Sequence, residues 1–248
     1  MRRLALHSAL ASRAHDLGVT RVTARVRSVA QDADGVTVDD LRGSWLLGCD
    51  GLRSTVRREA GLDRPTGGDH RFGLRRHFEV APWSDLIEVH WTPTAEVYVT
   101  PVSGSVVGIA VLGPQRTGFA ETLASVPALA ERLASAEPAS TLRGAGPFRQ
   151  RASRPSSGRV LLVGDASGYV DAITGEGLRL GFEQARVAIE SIGDGGDYDR
   201  RWRRATRDFR MLTAGLVAAA TSPARGGIVR LAASAPRLYG AIVERLAR

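Results

Sequence analysis

Apolar residues recur at helical spacing through Leu4, Leu6, Leu10, Ala14 and Leu17, and Gly18 stands where a helix cap belongs. This predicts an amphipathic helix over residues 3–17. A strand-like stretch from Val19 to Val29 follows. Asp32-Ala33-Asp34-Gly35 is a turn signal, and Val36-Thr37-Val38 alternates as the return strand of a hairpin. The continuous apolar run Trp45 to Cys49 ends in Asp50-Gly51, the pattern of a buried strand feeding a loop.

From Phe72 to Leu112 the texture shifts to short β-branched and aromatic segments punctuated by Pro and Gly. His77 to Val80, Leu86 to Trp91, Glu96 to Val99 and Val106 to Leu112 read as antiparallel strands. Residues 119–136 are Ala- and Leu-rich with helical spacing, Phe148 to Ala152 reads as a further strand, and Arg159 to Val163 is a second buried apolar run. Helices then take over, one from Gly175 to Ile192 and Arg-rich segments from Tyr198 onward, with breaks at Pro223 and Pro236. The alternation of strand and helix patterns places the chain in the α/β class, α+β overall.

Composition changes this picture little. With 43% apolar residues, a chain of 248 residues can bury a sizeable core. The formal charge of +8 raises the question of nucleic acid. All 34 cationic residues are Arg, and both Lys and Asn are absent, which a GC-rich coding sequence explains. The arginines are not interleaved with a stacking aromatic platform, so no nucleic-acid partner is expected. The single cysteine, Cys49, excludes an internal disulfide or thiolate zinc cluster, and its apolar neighbours predict a buried, inert thiol. A soluble, cytoplasmic protein is expected, because no apolar run approaches a membrane span or a signal-peptide core. The five histidines show no metal-ligand spacing, no nucleophile constellation stands out, and no catalytic side chain is assigned.

One segment carries a chemical expectation. In Arg159 to Ala166 an apolar strand ends on Gly164-Asp165, which puts a carboxylate at the carboxyl edge of a sheet, where open α/β folds bind ligands. The loop Ser167 to Thr174 leads into Gly175-Glu176-Gly177, whose glycines let a ligand approach the free N–H groups and positive dipole end of a helix. A flavin fits both halves: its ribityl hydroxyls can donate to Asp165, and its pyrimidine edge can sit over the helix start.

Gly164-Asp165-Ala166 through Gly181 resembles the second FAD motif of the flavoprotein monooxygenase and geranylgeranyl reductase superfamily, which has the para-hydroxybenzoate hydroxylase-type fold. Cys49-Asp50-Gly51-Leu52-Arg53-Ser54-Thr55-Val56-Arg57 resembles its Asp-Gly motif, and Arg3-Leu4-Ala5-Leu6-His7 its helix whose leading Arg contacts FAD phosphate. The resemblance implies FAD as cofactor and NAD(P)H as reductant. It implies a flavin site drawn from Arg3, Asp50, Gly51, Arg53, Gly164, Asp165, Gly175, Glu176 and Gly177, with Arg3, Asp50 and Arg53 serving phosphate. The family's opening strand, Gly-x-Gly-x-x-Gly turn and helix have no counterpart here, so a FAD-binding domain missing its first βαβ unit is expected. That domain is expected over residues 1–65 and 152–195. A substrate-binding antiparallel sheet is expected over 66–151 and a C-terminal helical segment over 196–248.

Within that sheet, Arg75, His77, Trp91, Tyr98 and Pro101 are the candidates to face a substrate. Alternation sends Arg75 and His77 to one face, which is either a lining or a solvated outer face. The wording Ser167 to Ala172 is closer to the geranylgeranyl reductase-like branch. The resemblance therefore implies an oxidoreductase that hydroxylates or reduces an apolar, aromatic, polyketide- or isoprenoid-like small molecule. A reading from another class is a non-catalytic flavoprotein remnant or basic binding protein. In it Arg200, Arg201, Arg203, Arg204, Arg207 and Arg210 would dock on a partner or an anionic membrane surface.

Overall fold

The computed structural model describes residues 3–67 and 70–227, together with residues 234, 235, 237 and 240. In chain order it opens with α1 (Arg3–Asp16), β1 (Val29–Gln31), β2 (Val36–Val38), β3 (Leu41–Gly43), β4 (Leu46–Gly48), α2 (Thr55–Glu59) and β5 (Asp63–Arg64). Then come β6 (Arg71–Glu79), β7 (Glu88–Trp91), β8 (Glu96–Ser103), β9 (Val106–Pro114), α3 (Phe119–Ala124), α4 (Pro127–Leu133), β10 (Glu137–Pro138) and β11 (Arg143–Ala145). The chain continues through β12 (Gln150–Ala152), β13 (Ser156–Ser157), β14 (Val160–Leu162), a 3-10 turn (Gly164–Ser167), β15 (Gly168–Tyr169), α5 (Gly177–Asp194) and α6 (Tyr198–Ala220). A second 3-10 turn, Pro223–Gly227, follows α6 where Pro223 predicts a break; Pro236 lies outside the described residues.

Among the described residues two compact units emerge: those within 1–25, 74–111 and 117–144 form one, and those within 26–73, 112–116 and 145–240 the other. In the first, the antiparallel sheet runs β10-β6-β9-β8-β7. Val97, Val99, Val107, Ile109 and Val111 alternate inward and pack with Phe78, Phe119, Leu129 and Leu133, so helices α3 and α4 cover one face. The residues 119–136 form these two helices rather than one, because Pro127 lacks the N–H that would continue a helix and instead occupies the first turn of α4.

In the second unit, β1 and β2 pair with Gln31 opposite Val36, as the turn signal predicts, and Asp32 Oδ1 accepts N–H bonds from Asp34 at 2.9 Å and Gly35 at 3.0 Å. The strand-like residues 19–28 form no strand. Val19 and Val22 are exposed, so neither has the buried face on which β-branched residues stabilise a sheet. Strands β4 and β14 pair in parallel, Leu46 opposite Val160 and Gly48 opposite Leu162. Leu161, Val163, Val187, Ala188, Tyr198 and Trp202 form a core cluster of β14, α5 and α6, and Val36, Val56, Leu62, Val160 and Leu162 form a second.

Gly48 is where α2 meets this sheet. A Cβ built there would lie 2.8 Å from Val56 Cγ1 and 3.0 Å from Leu162 Cδ2. Gly48→Ala is therefore expected to cost about 1–3 kcal/mol of stability through overpacking, read as a lowered urea midpoint at unchanged m.

Candidate functional site

Parallel pairing carries both motifs to one sheet edge. Two residues beyond the last paired positions, Gly48 and Leu162, stand Asp50 and Gly164, and Val163 N–H donates to Gly48 O at 2.9 Å across the gap. After β14 the backbone turns sharply: Gly164 takes φ +64°, a left-handed value that glycine adopts without strain. Asp165 then falls in the first turn of the 3-10 segment, half-buried, at the position the strand-to-turn pattern predicts. Asp165 and Asp50 thus mark the ends of neighbouring strands, the place where α/β sheets take ligands.

Each motif residue has a defined local role. Asp50 holds α2: its Oδ2 accepts the N–H of Thr55 at 2.6 Å and of Val56 at 3.1 Å, and its Oδ1 accepts the Ser54 hydroxyl. Ser54 Oγ in turn accepts Arg57 N–H at 2.9 Å, completing the cap of the short helix. Gly51 bridges strand and helix at φ +78°. Arg53 is exposed, and one guanidinium N–H donates to Gly146 O at 3.0 Å. Arg3 begins α1 in the other unit and is exposed.

Sequence reasoning missed Arg57, although it closes the Asp-Gly motif. Only 2% exposed, it links four pieces of chain. Its Nε donates to Asp63 Oδ1 at 2.6 Å, Nη1 to Ala166 O at 3.0 Å, and Nη2 to Leu52 O at 3.0 Å and Gln150 Oε1 at 3.1 Å. Through Ala166 the two motifs are bonded directly.

On the far side of the loop, α5 begins at Gly177 with no side-chain cap. The carboxylate of Glu176 turns to Arg179 Nε at 3.1 Å instead of capping the helix. Gly175 adopts φ +74°, and a Cβ there would meet nothing within 4 Å. Thr174 Oγ1 is buried with no hydrogen-bond partner. An uncapped helix start, open space before it and an orphaned hydroxyl are what a planar, acceptor-rich group would use, so these residues fit the flavin half of FAD. The loop between the halves is anchored by a buried ion pair, Arg71 Nε to Asp171 Oδ2 at 3.6 Å, the side chains being 7% and 3% exposed.

Further along, burial, and after it Arg151, pushes the Arg210 guanidinium below its usual range. Cys49 differs from its expectation: it lies one residue past the end of β4 and is exposed, because the apolar run stops pairing at Gly48.

The substrate candidates lie in the first unit. Val89 pairs with Tyr98 and Trp91 with Glu96, and these share the face opposite the core residues Val97 and Val99. Leu74 and Phe78 pack into the core, so alternation turns Arg75 and His77 to that same outer face, where His77 Cδ2 lies 3.3 Å from the Cβ position of Gly108. Arg75, His77, Trp91 and Tyr98 therefore share one face. Pro101 has the parity of Val97 and Val99 and falls on the opposite face.

The chain belongs to the FAD binding domain family, whose model matches residues 5–192. It is 32% identical over 193 residues to a dialkyldecalin synthase of Streptomyces rugosporus, covering 71% of this chain and 42% of that protein. It is 31% identical over 204 residues to the 12-dehydrotetracycline 5-monooxygenase/anhydrotetracycline 6-monooxygenase of Streptomyces rimosus, covering 71% of this chain and 40% of that one. The chain thus spans about two fifths of the length of these curated relatives. A flavin-dependent brominase structure superposes with TM-score 0.78 at 17% identity, over 99% of this chain and 70% of its own, a likeness of fold.

Proposed function

We propose that this chain forms the flavin-holding and substrate-covering part of an FAD-dependent, NAD(P)H-driven oxidoreductase acting on an apolar, polyketide-like small molecule. The observation that carries the reading is the bonded pair of strand-end motifs, Asp50 with α2 on one strand and Gly164-Asp165 on the next. Relatives named as a dehydrotetracycline and anhydrotetracycline monooxygenase and as a dialkyldecalin synthase support a polyketide-like substrate class. When bound, FAD supplies hydride and oxygen chemistry, while the protein supplies position and electrostatics. Asp165 would accept ribityl hydroxyls, the N–H groups at Gly175 to Gly177 would hold the pyrimidine edge, and Arg53 would offer charge to phosphate. Arg75, His77, Trp91 and Tyr98 offer aromatic and cationic contacts to a substrate.

Titration with FAD tests this reading. Oxidised-flavin absorbance should remain with the protein after gel filtration, and NADH or NADPH should bleach it. Asp165→Ala, which removes a charged hydrogen-bond acceptor, should weaken FAD about tenfold or more. Protein that stays colourless at saturating FAD sinks the proposal.

One observation favours a second reading. Arg200, Arg203, Arg204 and Arg207 are all exposed along α6, a basic face suited to an anionic surface. Salt-sensitive binding of flavin-free protein to phosphatidylserine vesicles would support it; binding unchanged by salt would not.

A further inference from the structure

The Gly164–Ser167 turn is held from behind by a buried hydrogen-bond chain that ends on α6. Gly164 N–H donates to Gln184 Oε1 at 2.8 Å. Ser167 Oγ lies 2.9 Å from the same Oε1 and 2.8 Å from Gly164 O, so its one proton has two acceptors within reach. Trp202 Nε1–H donates to Ser167 Oγ at 3.1 Å. Ser167 and Gln184 are each 2% exposed and Trp202 9%, so the chain is closed to solvent. In such surroundings each bond is stronger than in water, and a missing donor is felt by every member.

The same face of α6 makes two further ties. Four residues before Trp202, Tyr198 OH donates to Leu162 O at 2.7 Å. Eight residues after it, Arg210 Nη1 donates to Gly168 O at 3.2 Å, and its guanidinium lies 5.2 Å from the Trp202 ring centre. Spacings of four and eight keep these side chains on one stripe of the helix. They therefore grip β14, the turn and the residue after the turn in succession. The family match ends at residue 192, and α6 begins at Tyr198.

We propose that α6 is a positioning element of the flavin turn, in which Trp202, acting through Ser167 and Gln184, fixes the backbone that carries Asp165. The inference rests on the reading of that turn as a flavin site. The bland alternative is that Trp202 only fills the core beside Leu161, Val163 and Val187, where it does pack. The two separate cleanly. Packing depends on the ring, whereas positioning depends on the indole N–H.

Trp202→Phe keeps an aromatic ring and deletes the donor. FAD dissociation constants from flavin fluorescence quenching should rise about five- to tenfold in this variant, the range set by loss of one buried hydrogen bond. In flavin-free protein, amide exchange across residues 164–168 should quicken about fivefold or more. Phe209→Leu, on α6 but outside the hydrogen-bond chain, supplies the packing control. It should lower the melting temperature while leaving the FAD constant within about twofold of wild type. Trp202→Phe with wild-type FAD affinity and wild-type exchange overturns the inference and leaves the functional reading standing. An equal FAD shift in Phe209→Leu also overturns it, since the effect would then be one of packing. Wild-type protein that binds no FAD overturns both.

Discussion

Replacing Arg57 with alanine is expected to remove about 3 kcal/mol of folding stability, a large share of what a domain of this kind possesses. The guanidinium is 2% exposed and donates to Asp63, Ala166, Leu52 and Gln150 at once. Deleting it leaves buried acceptors without donors as well as a cavity. Asp63 is 41% exposed and can recover water, so the cost falls on the carbonyls of Ala166 and Leu52 and the Gln150 amide more than on the carboxylate. Arg57→Lys keeps the charge but not the planar fork, and one ammonium cannot reach four acceptors spread over both sides of a guanidinium. It should therefore recover less than half of the loss. Urea midpoints of the variants measure this; an Arg57→Ala midpoint equal to wild type would show that these bonds contribute nothing net. Because Nη1 is the direct bond between the motifs, FAD affinity should fall along with stability in both variants.

Arg57 also shows why the site was only partly legible in the sequence. Elements with a long period or a decisive punctuation mark are readable: Gly164-Asp165 after an apolar run, the Asp32 to Gly35 turn, and the helix that begins at Gly177. Their signals are local. Arg57 sits in a five-residue helix, too short for an amphipathic pattern, and its partners Gln150 and Ala166 lie 93 and 109 residues away. Its one local mark is that it closes the Asp-Gly motif; nothing in that window signals that it is buried and the adjacent Arg58 exposed.

Gln184 and Trp202 left a faint trace. Gln184 interrupts the buried stripe Leu180, Val187 and Ala188 of α5, and Trp202 belongs to the stripe Tyr198, Thr206, Phe209 on a helix that otherwise reads as Arg-rich. A polar residue on an apolar stripe signals a buried partner without naming it. The shared outer face of Arg75, His77, Trp91 and Tyr98 lies between these extremes. Alternation pairs Arg75 with His77, but only the registers of β7 and β8 bring Trp91 and Tyr98 to one side.

Removing Asp171 should be at least as damaging as removing Arg57, for a different physical reason. Asp171 lies in the loop that joins the Gly164-Asp165 turn to Gly175-Glu176-Gly177. It accepts Ile173 N–H at 3.0 Å on one oxygen and faces Arg71 Nε at 3.6 Å on the other. Both side chains are more than nine-tenths buried. Breaking such a pair by deleting one partner costs about 3–5 kcal/mol, because the remaining charge stays in a poorly solvating site. Arg71→Leu combined with Asp171→Leu removes both members of the pair and should recover much of the stability lost in either single variant. Chemical denaturation of all three variants completes the cycle. If the double variant is as unstable as the sum of the singles, the two groups do not act as a pair. If it recovers stability but binds FAD less tightly, Asp171 contributes to the flavin site mainly by holding Ile173 and the loop in place.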